Sequence, residues 1–252
     1  MILGEWFRAL FARPTAGLSM APPVPAPVPV HAVGDPDWPA VLQACGFGDP
    51  WGWAALIADP ARRWDITTGK RAAAFAATLG HESGGGKRLV EDLTYSVAAL
   101  TGMFGAHRGM TPALAQRLGY VRDSYGRMTQ RADQEGIANL VYGGEWGRKN
   151  LGNVLPGDGW QYRGRGPIQI TGRDAYARAG EAVGQPLVSQ PDLAADPAIG
   201  AAVACWVWGG WKRCNPLADA ENVEAWRRAI NGGVNGLAEV RQKYQAALRA
   251  AV

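Results

Sequence analysis

Apolar residues recur at helical spacing along most of this chain. The stretch 70–83, KRAAAFAATLGHES, carries Ala73, Phe75, Ala76 and Leu79 as a core face. It predicts a helix that must stop at Gly84, Gly85 and Gly86. Before it, PAVLQACG and WGWAALIADPARRW read as short helices separated by Gly and Pro. After it the same period returns in SVAALTGMF (96–104), TPALAQRLGYV (111–121) and QEGIANLVYGG (134–144). It returns again in DAYARAGEAVG (174–184), PAIGAAVACWVWGGW (197–211), VEAWRRAI (223–230) and LAEVRQKYQAALRAAV (237–252). Pro112 suits a first helical turn, where its missing N–H costs nothing. Residues 157–172 break the pattern. They are glycine-rich and too poor in periodic apolar positions for a helix, which predicts a loop leading to a short irregular strand or hairpin. The expected fold class is mainly α with a small β element.

The first thirty-five residues read as a separate piece. Ile2, Leu3, Trp6, Phe7, Leu10 and Phe11 form one stripe, with Glu5, Arg8 and Arg13 off it. A proline- and alanine-rich stretch follows, expected to be extended. Residues 1–35 are therefore an amphipathic segment and linker, and residues 36–252 a catalytic domain. Residues 1–13 are expected to dock on a membrane or a partner protein. Glu5 and Arg8 interrupt any signal-peptide core, and no stretch approaches the length of a membrane span. The expectation is synthesis in a bacterial cytoplasm without a signal peptide and action at the cell wall or periplasm.

Composition narrows the function. The formal charge of +4 is mildly basic and suits an anionic polymer. No basic run or nucleic-acid motif occurs, so no nucleic-acid partner is expected. Cys45, Cys205 and Cys214 are an odd, sparse set best read as reduced thiols, although Cys205 and Cys214 lie close enough in sequence to pair. His31, His81 and His107 are scattered, so neither metal nor cofactor is expected. The 11 tryptophans exceed what a chain of this length needs, and they divide between core packing and a surface for flat sugar rings.

The candidate chemistry lies at the glycine break. Glu82 falls in the last turn of the helix, and Glu91 follows nine residues later. Glycosidic cleavage needs one carboxylic acid to protonate the leaving oxygen and a second group to activate water. The negative end of the helix dipole and apolar neighbours would keep Glu82 protonated, as a proton donor requires. Glu91 is expected in a looser, wetter loop as the base. The glycines would let backbone approach a ligand closely and let the chain swing Glu91 across a cleft.

GHESGG, then the Glu of EDLTYS, then GDGWQYRGRGPIQITGRDAY and AINGGVNGLAEVRQKY, resembles the family-nineteen glycoside hydrolases over residues 37–252. The closest likeness is to the phage endolysin and lysozyme-like branch. The resemblance implies a lysozyme-like, two-lobed helical fold with a substrate cleft. It implies inverting hydrolysis of a β-1,4-linked amino-sugar polymer without cofactor, with the carboxyl groups at least ~6.5 Å apart. It assigns Glu82 as general acid, Glu91 as second carboxylate and Thr171 as holder of the nucleophilic water. It places Tyr95, Ser96, Tyr162, Gln169 and Asn231 on the substrate, and Arg241 as the basic partner of the carboxylates. Ala175 stands where the family commonly has Asn before the tyrosine, here Tyr176, and the plant disulfide set is missing. The leading expectation is a monomeric peptidoglycan muramidase, an antimicrobial endolysin acting in cytolysis. The alternatives are a chitinase, or a non-catalytic glycan-binding or virion protein on the same fold.

Overall fold

A computed structural model describes residues 35–105 and 108–251. The amphipathic stripe of residues 1–13 and the linker up to residue 34 lie outside the described residues, and with them the expectation on localisation. The helices are α1 (Trp38–Ala44), α2 (Pro50–Arg63), α3 (Gly69–Glu82), α4 (Val97–Phe104), α5 (Pro112–Leu118), α6 (Gln134–Val141) and α7 (Gly144–Leu151). They continue with a single turn α8 (Asp158–Gln161), then α9 (Arg173–Val183), α10 (Pro197–Cys205), α11 (Asn215–Asp219), α12 (Val223–Asn231) and α13 (Leu237–Ala250). A short antiparallel hairpin pairs β1 (Val121–Arg122) with β2 (Met128–Gln130). The fold is mainly helical with a small β element, as the periodicity predicts.

Local chemistry fixes where several helices start. Asp49 precedes Pro50, Thr111 precedes Pro112, and Asp196 precedes Pro197. In each, the side-chain oxygen accepts a backbone N–H of the first turn, and proline takes a position whose N–H would be unpaired. Two expected helices end early. Residues 111–121 stop being helical at Leu118, and the chain enters β1. Residues 197–211 change register at Trp206, and Trp206–Trp211 continues as a π-helix.

The described residues hold two hydrophobic cores. The larger is built on α1, α2, α3 and the chain from Tyr162 onward. The smaller gathers Leu93, Tyr95, Leu100, Phe104, Leu118, Ile137, Val141, Tyr142 and Leu151. At the centre of the larger core lies α3, with every residue from Ala72 to His81 buried. That is more than the single face its sequence suggests: a helix apolar all round belongs inside. Its alanines let α13 lie directly along it, with α1 and α11 beside it.

Most tryptophans serve this packing. Trp38, Trp53, Trp206, Trp208 and Trp226 are buried in the larger core, while Trp51 is exposed. Cys45, Cys205 and Cys214 are free, buried thiols; burial pushes Cys45 and Cys214 up to about 12. Among the described residues no helix is long and apolar enough to cross a membrane.

Candidate active site

Glu82 is the last residue of α3, so its position is set by the larger core. The three glycines that follow all have positive φ, at 61, 71 and 82°. They do not open the backbone to a ligand, as the sequence suggested. A Cβ on Gly85 would lie 2.1 Å from the carbonyl oxygen of Gly46, and one on Gly86 would lie 2.4 Å from Nε1 of Trp53. The glycines pack the turn against the protein's own backbone and indole.

The neighbours of Glu82 are not purely apolar. Arg227 of α12 donates from a guanidinium nitrogen to its carboxylate. The Arg227 side chain is 1% exposed and that of Glu82 is 5% exposed. Arg227 Nε also donates to the carbonyl of Asn235 at 2.7 Å, fixing the guanidinium in the loop after α12. Beside it, His81 Nδ1 lies 2.8 Å from the Glu239 carboxylate of α13.

This corrects the assignment of Arg241 as the basic partner. Arg241 is exposed on α13, and the arginine that meets Glu82 is Arg227. The signal was present in the sequence. Val223, Trp226, Arg227, Ile230 and Asn231 form the buried stripe of α12, so Arg227 sits at a core-facing position.

Glu91 is not in a loose loop. The chain after the glycines pairs with the 157–172 segment: Gly166 N donates to Leu89 O at 2.8 Å, and Glu91 N to Gly164 O at 2.9 Å. Arg165 and Ile170 exchange both backbone bonds across a tight turn, in which Gln169 has φ of 54°. In place of the expected strand or hairpin, residues 158–161 form a helical turn and isolated bridges join Arg165 to Ile170 and to Val90 of the Glu91 segment. Arg165 anchors this segment, buried and bonded to Gln161 O, the Tyr176 hydroxyl and Asp192.

The Glu91 carboxylate is held at both oxygens. Oε1 accepts from the Tyr142 hydroxyl at 2.5 Å, and Oε2 accepts from the Gly164 N–H at 3.1 Å. Burial raises its pKa above the ordinary 4.5, while the two hydrogen bonds and the nearby Arg163 pull the other way. Burial therefore acts on Glu91 as well, which the sequence reading had placed in water.

The remaining candidates separate. Gln169 and Glu91 flank Gly164, where a Cβ would lie 2.8 Å from Gln169 Oε1 and 3.2 Å from Glu91 Oε2. Thr171 is buried, and its hydroxyl donates to Gln169 O at 3.3 Å. Asn231 accepts Gly233 N–H with Oδ1, while its buried Nδ2 has no partner among the described residues.

The structure places the other candidate residues, and Ala175, as follows. Tyr162 is 1% exposed, packs on Tyr176 and donates its hydroxyl to Val188 O, which leaves no surface for a sugar. Tyr95 is buried edge-on against Phe104 in the smaller core, its hydroxyl without a partner among the described residues. Ser96 caps α4 by accepting Ala99 N–H at 3.1 Å. Ala175 is buried in the larger core rather than presented to a ligand.

A family model described as "Chitinase class I" matches residues 151–236, which include the GRGPIQ segment, Arg227 and Asn231. A Haemophilus influenzae protein described as "Glycosyl hydrolase family 19 domain-containing protein" is 36% identical over 174 residues, covering 69% of this chain and 76% of that protein. The chain belongs to glycoside hydrolase family 19.

The acidic endochitinase Q of Nicotiana tabacum is 53% identical over 49 residues, 19% of each chain. Chitinase C of Streptomyces griseus has the same fold, with a TM-score of 0.50 at 20% identity over 85% of this chain and 91% of that one. These matches overturn the endolysin and muramidase reading. The family model and the plant relatives carry chitinase descriptions, so peptidoglycan, cytolysis and antimicrobial action give way to the alternative. Within this family-19 chain, Glu82 comes from the larger core, and Glu91 lies where the larger core meets the smaller.

Proposed function

We propose that this protein is a chitinase. It hydrolyses β-1,4 bonds between N-acetylglucosamine units, with Glu82 as general acid and Glu91 as the base that activates water. The observation that carries this reading is that the two motif carboxylates are each fixed by hydrogen bonds from a different part of the fold. Glu82 meets a buried guanidinium, whereas Glu91 meets a phenol hydroxyl and a backbone N–H. The chitinase descriptions of the family model and plant relatives support the substrate class.

In this mechanism Glu82 delivers a proton to the leaving glycosidic oxygen, and Arg227 fixes the carboxyl that does so. Glu91 takes a proton from a water attacking the opposite face of the sugar, with inversion. Gln169, Thr171 and Asn231 serve the water and the acetamido sugar. The unpartnered Nδ2 of Asn231 is a donor that a substrate oxygen would satisfy.

The test is hydrolysis of colloidal chitin and of N-acetylglucosamine oligomers, with product anomers followed by NMR from the first turnovers. Soluble oligomers of α configuration at the new reducing end are expected. No release from either substrate, or β products, would overturn the reading.

A further inference from the structure

Tyr142 is the one side chain from the smaller core that reaches the Glu91 carboxylate by a hydrogen bond recorded among the described residues. It caps the C-terminus of α6 and is wholly buried. Its backbone is fixed as well. Asn153 Nδ2 donates to Tyr142 O at 2.9 Å, and Asn153 Oδ1 in turn accepts Arg173 N–H at 2.9 Å. Arg173 pairs with the buried Asp158 at 2.6 Å. The phenol is therefore delivered to Glu91 by a rigid chain of bonded groups, 51 residues away in sequence.

A phenylalanine would fill the same space in the smaller core. The hydroxyl is the part of this side chain that packing does not require, and burying it is costly unless it is bonded. We propose that Tyr142 is a positioning residue for catalysis, its hydroxyl holding the Glu91 carboxylate in the orientation and ionised state needed to take a proton from water. This rests on the reading of Glu91 as the base.

The surroundings define what the hydroxyl does. Asp92 follows Glu91 and opposes its charge, while Arg163, beside Gly164, favours it. Tyr95 lies on the smaller-core side, and Tyr176 of α9 feels the Glu91 charge from the larger core. Arg108 acts on Tyr142 itself. Burial and the Glu91 charge push the Tyr142 phenol well above its ordinary 10, so it stays protonated and donates. A donor to a carboxylate favours the charged form. Removing it raises the pKa of Glu91, so the carboxylate is lost at a higher pH as the solution is acidified.

The experiment is the pH profile of kcat and KM for Tyr142→Phe in the full chain on an N-acetylglucosamine oligomer, with Tm beside it. The expected result is kcat lowered about tenfold at acidic pH, KM within about twofold, and the acidic limb of kcat moved up by about 1 pH unit. An unmoved limb overturns the proposal, whatever happens to Tm. If Tyr142→Phe does not fold, difluorotyrosine at position 142 decides. It keeps the ring, and its more acidic hydroxyl donates more strongly, so the limb should move to lower pH; no movement overturns the proposal. Glu91→Gln separates this from the underlying reading. An active Glu91→Gln enzyme removes Glu91 as base, whereas an inactive one with an unshifted Tyr142→Phe profile removes only the role of Tyr142.

Discussion

Arg227 and Glu82 form an ion pair almost wholly shut off from solvent, between residues 145 positions apart in the chain. The pair ties the last turn of α3 to α12, and through Arg227 Nε to the loop after α12. Its geometry determines what substitutions at either end should do.

Glu82→Gln should reduce chitin hydrolysis by on the order of 10²–10⁴-fold, because the amide cannot donate a proton to the leaving oxygen. At a solvated helix end this change would leave stability intact. The buried guanidinium alters that expectation, since removing one charge of a buried pair costs up to about 3–5 kcal/mol. The amide oxygen still accepts a hydrogen bond, so the loss should fall below that range. Activity assayed well below the Tm of the variant isolates the chemical effect. Retention of a tenth of wild-type activity would exclude Glu82 as the acid.

Arg227→Leu and Arg241→Ala should differ sharply. The first leaves the Glu82 carboxylate buried without its partner and should destabilise the fold by about 3–5 kcal/mol. The second removes an exposed side chain and should leave Tm and kcat unchanged. Thermal melts and initial rates on both variants check this. Loss of stability at Arg241→Ala with Arg227→Leu tolerated would mean that Arg241, not Arg227, serves the carboxylate.

Glu91 links stability to pH. Burial raises its folded pKa above 4.5, so the folded state favours the protonated carboxyl. The stabilising contribution of that carboxyl is complete below 4.5 and is lost as pH rises through the folded value. Glu91→Gln has no such titration. Its Tm relative to wild type should therefore be more favourable at pH 7 than at pH 4, and calorimetry at the two pH values measures it. The reverse trend would show that Glu91 is ionised more readily in the folded protein than in the unfolded chain.

The helices that could be read from the sequence are those with strong local signals. Residues 69–82 combine an apolar run with a glycine stop, and capping residues followed by proline announce α2, α5 and α10. The β hairpin has strands of two and three residues, too short for an alternation to mark it. In α7, two glycines and few apolar residues hide the helix. The switch to a π-helix at Trp206 is invisible for another reason: one extra residue per turn hardly changes the spacing of an already apolar run.

At the site, the carboxyl-bearing segments are local motifs, but their holders are not. Tyr142 and Arg227 act on residues far away in the chain, and no alignment of periods reveals which tyrosine or arginine will arrive. Tyr162 shows the converse: a motif tyrosine looks like a ligand contact until its hydroxyl is found spent on Val188.

Helix α3 has a mechanical consequence. Alanines from 72 to 74 and at 76 and 77 leave almost no flexible side chain between this helix and those around it. A core packed by backbone and methyl groups cannot absorb an added carbon by rotating a side chain; it must shift as a body. Glu82 is the last residue of that shaft. A single Ala76→Val substitution, nearly two turns below Glu82, should be felt as a displaced acid at the tip.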